Sequence, residues 1–120
     1  MKQSLGKAEK LKSKIVISKL FEEGRILKSF PLKLVYLPLT NNSQDHQVAF
    51  SVPKRSFKLA VDRNYLKRLL REAYRKNKPV LGEEETPYAL MFIYLGRKKF
   101  SLPELEKSIQ KLLTKFREQE

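Results

Sequence analysis

The segment from Asp62 to Lys76, DRNYLKRLLREAYRK, concentrates the side chains best equipped for chemistry. Projected at ~100° per residue, Leu66, Leu69, Leu70 and Ala73 fall on one side of a helix. Opposite them Arg63, Lys67, Arg71 and Arg75 recur at four-residue spacing, with Asn64 and Arg68 beside that column. One helix can therefore dock on a sheet and aim cations outward. Guanidinium forks match phosphate oxygens bidentately, so the chemistry on offer is charge-assisted recognition of a polyanion. A face built only for intrahelical support mixes signs at i, i+4. Here, beyond Asp62 at the helix start, Glu72 alone opposes six cations, which leaves neighbours repelling one another. Placed after a loop, the helix also turns its N-terminal dipole and free amides toward an incoming phosphate.

Hydrolytic machinery is not evident. A protein that cut phosphodiesters itself would need clustered carboxylates for metal ions, or a His or Lys acid–base pair. Glu83 to Glu85 fall in a predicted loop, Glu104 and Glu106 flank a helix start, and His46 is the only histidine. No catalytic residue and no metal ligand set is assigned. With no cysteine, a disulfide framework and a thiolate metal site are excluded, which suits a reducing cytoplasm.

The rest of the composition agrees with a polyanion as partner. Lys and Arg number 26 against 13 Asp and Glu, a formal charge of +13 on 120 residues. Self-repulsion of that size destabilises a compact chain, whereas phosphate contact neutralises it and releases condensed counterions. The longest apolar run, Tyr88 to Leu95, is too short to span a membrane, which takes ~20 residues in a helix, and the polar start MKQSLGKAEK lacks the apolar core of a signal peptide. A cytoplasmic protein without a membrane partner is expected. The length fits a single compact domain over 1–120, with residues 1–11 as a mobile basic arm.

The elements that position the basic helix follow from periodicity. Val16, Ile17, Leu20 and Phe21 mark a first helix over 12–23, which Gly24 ends in a left-handed C′ position. Leu32, Leu34 and Tyr36 alternate between Pro31 and Pro38 as a strand. After a polar loop over 41–47, Val48, Phe50 and Val52 alternate as a second strand and hairpin partner. The connector PKRSFKLAV leads to the helix over 62–76, with Asp62 as N-cap and Asn77, Lys78 and Pro79 as its end. An acidic loop over 82–87 precedes YALMFIYL, whose unbroken apolar run predicts a central strand covered on both faces. Ser101 and Glu104 have capping-box spacing, and Leu105, Ile109, Leu112, Leu113 and Phe116 form the stripe of a last helix. The predicted class is α+β, in α-β-β-α-β-α order.

These residues resemble a known family. The run Arg63-Asn64-x-x-Lys67-Arg68-Leu69-Leu70-Arg71-Glu72-Ala73, preceded by Ser51-Val52-Pro53-Lys54-Arg55, is similar to the signature of the bacterial ribonuclease P protein. Where that family usually has the second Arg of an Arg-Asn-Arg motif, this chain has Tyr65, toward the apolar side of the wheel. The resemblance implies a central, mostly antiparallel sheet with one β-α-β crossover, like the second domain of ribosomal protein S5. It implies a left-handed crossover, where pattern alone favours a right-handed one. It also implies that Lys54, Arg55, Lys58, Arg63, Asn64, Lys67, Arg68, Arg71 and Arg75 face the ribonuclease P RNA. Ile17, Phe21 and Tyr36 would line a cleft between the first helix and the sheet for the single-stranded leader of precursor tRNA, because aromatics stack on bases with little sequence demand. Catalysis would belong to the RNA and its Mg²⁺, with no ion held tightly by the protein and no obligate protein partner. Two other readings share the charge: a ribosomal or assembly RNA-binding protein, and a DNA regulator using 62–76 as a recognition helix. The latter offers only Asn64 as an amide base reader.

Overall fold

The computed structural model describes Leu11 and residues 13–39, 46–81 and 86–119. Residues 1–10 of the predicted 1–11 arm, position 12 of the first predicted helix and most of the two predicted loops at 41–47 and 82–87 lie outside the described residues. Leu11, the last residue assigned to that arm, is instead buried, its amide donating to the Val48 carbonyl at 3.0 Å. Among the described residues three helices, α1 (Lys14–Glu23), α2 (Ala60–Asn77) and α3 (Leu102–Gln119), surround four strands, β1 (Arg25–Ser29), β2 (Leu32–Pro38), β3 (Gln47–Ser51) and β4 (Tyr88–Tyr94). A 3-10 turn over Lys78–Leu81 follows α2.

The sheet order is β1-β2-β4-β3. β1 and β2 form an antiparallel hairpin through Phe30–Pro31, β2 runs antiparallel to β4, and β3 runs parallel to β4 with α2 as the crossover. The α+β class and the crossover are as expected, but the pairing is not. β3 is not the hairpin partner of β2; that place belongs to β1, a strand absent from the predicted order. β4 lies between them, buried along its whole length, as its apolar run requires.

Strand alternation divides the core between two faces. Leu32, Leu34 and Tyr36 of β2 join Tyr88, Leu90, Phe92 and Tyr94 of β4 against α2 and α3. Val35 joins Ala89, Met91 and Ile93 against α1, where Leu20 is the buried helix residue and Val16 and Ile17 pack beside it. On the larger face the rings of Tyr36 and Tyr88 each meet Phe116 edge-on at 5.0 Å between centroids. Phe50 of β3 stacks on Phe92 at 5.7 Å. Burying side chains such as Leu66 and Leu70 of α2 contributes about 1.5–3 kcal/mol each.

The helix ends show where local rules hold. At α3, the Ser101 amide donates to Glu104 Oε1 at 3.0 Å and the Glu104 amide to Ser101 Oγ at 3.4 Å, the reciprocal box that the spacing predicts. At α1, Ser13 Oγ accepts from the Val16 amide at 3.3 Å. Gly24 ends α1 in an extended conformation, φ −66° and ψ 148°, and not in the left-handed region. What demands glycine is crowding: a Cβ there would sit 2.3 Å from the Leu20 carbonyl oxygen and 2.6 Å from Val35 Cγ1. α2 begins earlier than predicted, with Leu59 as N-cap and no side-chain cap. Asp62 lies in the first turn, where its charge suits the dipole, and its carboxylate meets Lys99 Nζ at 2.7 Å.

Candidate nucleic-acid interface

The register places three connections at one end of the sheet. Leu32 pairs with Tyr94 and Ser51 with Ile93, so the β1–β2 turn, the β3–α2 connector and the β4–α3 loop lie together there, at the N-terminus of α2. Lys54, Arg55 and Lys58 are exposed in the connector. Arg63 is half-buried and turned back on that connector, its Nη1 donating to the carbonyls of Phe57 and Lys58, both at 2.8 Å. It thus fixes the path that presents Lys54, Arg55 and Lys58.

Along α2 the buried residues are Leu66, Leu70, Ala73, Tyr74 and Asn77. Their helical direction leaves Asn64, Arg68 and Arg71 fully on the outside, and all three are exposed, while Lys67 is half-buried on the flank. Arg75 forms an ion pair with Glu72. That hydrogen bond holds the Glu72 carboxyl below its ordinary range and raises the Arg75 guanidinium, so the anion of the outer face is engaged by Arg75. Arg68 and Arg71 are without an ion pair among the described residues. Lys76, on the other flank, reaches Glu106 of α3 at 3.7 Å.

Sequence reasoning missed Arg97, Lys98 and Lys99, all exposed in the β4–α3 loop. The loop is held by Tyr94, whose hydroxyl donates to the Lys98 carbonyl at 2.6 Å and accepts from the Phe100 amide at 3.0 Å. Burial, slightly offset by the Phe100 amide, pushes the Tyr94 phenol above its ordinary value. Gly96 lets the loop pass close: a Cβ there would meet Phe100 Cε1 at 2.8 Å. Three consecutive cations were the available signal, but only the register shows that they join the α2 end.

The proposed leader trio is not assembled. Ile17 is half-buried over the sheet and Phe21 is 63% exposed on α1. Tyr36 is 2% exposed and belongs to the opposite face, among Tyr88 and Phe116. Residues two apart on a strand share a face, so it is Val35 and Leu37, not Tyr36, that turn toward α1. Beside α1 the sheet instead offers a groove lined by Ile15, Val16, Leu37, Pro38 and Leu39 with Lys19 and Glu23, aliphatic rather than aromatic. No group of acids and histidines able to hold a metal ion occurs among the described residues, and no helix among them is long and apolar enough to cross a membrane.

Fold and surface together define a class: a strongly basic α+β domain that carries an outward cationic helix as the crossover of a mixed sheet. Comparison with known proteins narrows it. Residues 5–117 match the ribonuclease P protein family, and the chain belongs to that family. The ribonuclease P protein component of Porphyromonas gingivalis is 35% identical over 121 residues, covering 93% of this chain and 85% of that protein. The same component of Chlorobium phaeobacteroides is 36% identical over 116 residues, covering 86% and 79%. Among solved structures, the ribonuclease P protein of Thermotoga maritima superposes with a TM-score of 0.73 at 20% identity, over 89% of this chain and 96% of that one. The Staphylococcus aureus protein gives 0.70 at 21% identity, over 89% and 94%. These two likenesses concern the fold.

Proposed function

We propose that this chain is the protein subunit of a cytoplasmic ribonuclease P, binding the catalytic RNA and the 5′ leader of precursor tRNA while the RNA removes that leader to give the mature 5′ end. The observation that carries the reading is the outer face of α2: Asn64, Arg68 and Arg71 exposed, with Lys54, Arg55 and Lys58 beyond the helix start, on the fold of the family. Arg68 and Arg71 offer bidentate forks to phosphate oxygens, and Lys67 adds a point charge on the flank. Arg63 acts chiefly by positioning the connector, and Arg75 reaches RNA only by sharing its guanidinium with Glu72. The leader would run over the α1 side, meeting Phe21, Ile17 and the aliphatic groove, with Tyr36 supporting the sheet from behind.

In this reading the protein carries no reacting group. Mg²⁺ would be held by the RNA and would supply the activation of the attacking water, while the cations of Lys54, Arg55, Lys58, Arg68 and Arg71 would offset phosphate repulsion between RNA and substrate and lower the Mg²⁺ needed. No membrane and no obligate protein partner enters the scheme. The test is competition binding of the full chain to bacterial ribonuclease P RNA against an equal mass of ribosomal RNA. Strong preference for the former supports the proposal. Preference for ribosomal RNA transfers the chain to a role in the ribosome or its assembly.

A further inference from the structure

Two rings at the basic end are exposed without an explanation in the fold. Phe30, at the tip of the β1–β2 hairpin, is 69% exposed, and Tyr65 on α2 is 46% exposed. Neither is loose. The Phe30 carbonyl accepts from Ser108 Oγ at 3.1 Å, the Leu95 amide donates to the Pro31 carbonyl at 2.6 Å, and the Phe30 ring meets Phe100 edge-on at 5.7 Å. Tyr65 lies under Lys99, whose ammonium is 5.7 Å from the ring centroid and is anchored by Asp62 at 2.7 Å. The preceding residue, Lys98, sits 5.0 Å over the Phe100 ring. Because Lys98 and Lys99 are neighbours in one loop, the two rings flank a single cationic ledge.

We propose that Phe30 and Tyr65 form a stacking platform for unpaired nucleobases of an RNA strand whose phosphates lie along Lys98 and Lys99. Rigid, solvent-facing rings cost stability in water and gain most from a flat apolar partner. In a surface this cationic, the partner that is flat on its face and anionic along its backbone is a single-stranded nucleic acid. Leu59 and Val61, 63% and 68% exposed beside the start of α2, extend the apolar surface. The inference rests on the RNA-binding reading above and adds a base-contacting site to it.

The probe is an unpaired oligoadenylate of about a dozen nucleotides, compared with an abasic phosphodiester of the same length. We expect Phe30→Ala and Tyr65→Ala each to weaken oligoadenylate binding roughly 5- to 150-fold, the range for losing one stacked base, while leaving the abasic strand unaffected. Tyr65→Phe should bind as the wild type does. Phe30→Leu, which keeps an apolar contact with Phe100, should fold normally and still lose affinity. Wild-type affinity in Phe30→Leu and Tyr65→Ala overturns the platform, as does equal binding of both strands by the wild-type chain. If the wild-type chain binds ribonuclease P RNA but not oligoadenylate, the platform alone falls; if it binds neither, the proposed function falls with it.

Discussion

Replacing Arg68 and Arg71 by Ala together tests the outer face of α2 quantitatively. Both side chains are exposed, and Glu72, the acid between them and Arg75, is engaged by Arg75, so neither substitution frees a partner within the helix. If each arginine neutralises one phosphate, the log–log slope of affinity against salt should flatten by about 0.7–0.9 per residue, or about 1.4–1.8 for the pair. Between 50 and 200 mM salt that difference alone narrows the wild-type advantage by roughly 7- to 12-fold. The assay is a filter or fluorescence titration against ribonuclease P RNA at four or five salt concentrations. Lys107→Ala with Lys111→Ala, an equal change of charge on exposed positions of α3, is the control and should leave the slope nearly unchanged. Equal flattening by both pairs would refute a localised phosphate-binding face and leave only a diffuse field.

Further perturbations separate core from surface. Tyr36→Ala, which removes a ring packed against Phe116 and Tyr88, should cost about 3–5 kcal/mol in urea unfolding, whereas Phe21→Ala should cost under about 0.5 kcal/mol and instead weaken binding of leader-bearing precursor tRNA more than of mature tRNA. An unfolding cost for Tyr36→Ala no larger than for Phe21→Ala would contradict the assignment of faces. Gly24→Ala should lower stability by about 1–3 kcal/mol, since a Cβ would press on the Leu20 carbonyl and Val35; an unchanged urea midpoint would mean the turn is not crowded. The Tyr94 phenol has its pKa raised by burial, so its contribution is complete below the ordinary tyrosine range and lost as pH rises through the raised value. Tyr94→Phe should therefore lessen the alkaline loss of stability, while at neutral pH it leaves the Phe100 amide without its acceptor and costs about 1–3 kcal/mol; an unaltered alkaline limb would count against the buried phenol.

Elements with a strong period were legible from residues alone. The stripe from Leu105 to Phe116, the Ser101–Glu104 box and the apolar run of β4 each state their burial directly, because long-range packing only reinforces what local chemistry already favours. β1 was not legible. Five residues, RILKS, directly after a helix-ending glycine are too few to show alternation, and as an edge strand most of them stay exposed. The pairing of β3 could not be read either, since alternation in Val48 and Phe50 is the same for an antiparallel neighbour as for a parallel one.

The interface divides along the same line. The outward positions of Arg68 and Arg71 follow from helical geometry, so the wheel was sufficient. The wheel also set Arg63 with the outward cations, whereas the loop before α2 draws its guanidinium to the carbonyls of Phe57 and Lys58. Tyr65 was read as apolar-side, yet it stays nearly half exposed, with Lys99 over its ring. Assigning Tyr36 to the α1 side failed because the face of a strand is a matter of parity: one position along the strand separates Tyr36 from Leu37 and the core from the groove.

The most direct test of the central claim is cleavage of precursor tRNA by a bacterial ribonuclease P RNA at low Mg²⁺, with and without this chain. The account predicts fast cleavage at the mature 5′ end only when both are present, and a weaker effect from the Arg68→Ala, Arg71→Ala protein. No activation by the wild-type chain, even with ribonuclease P RNA from its own source, would contradict it.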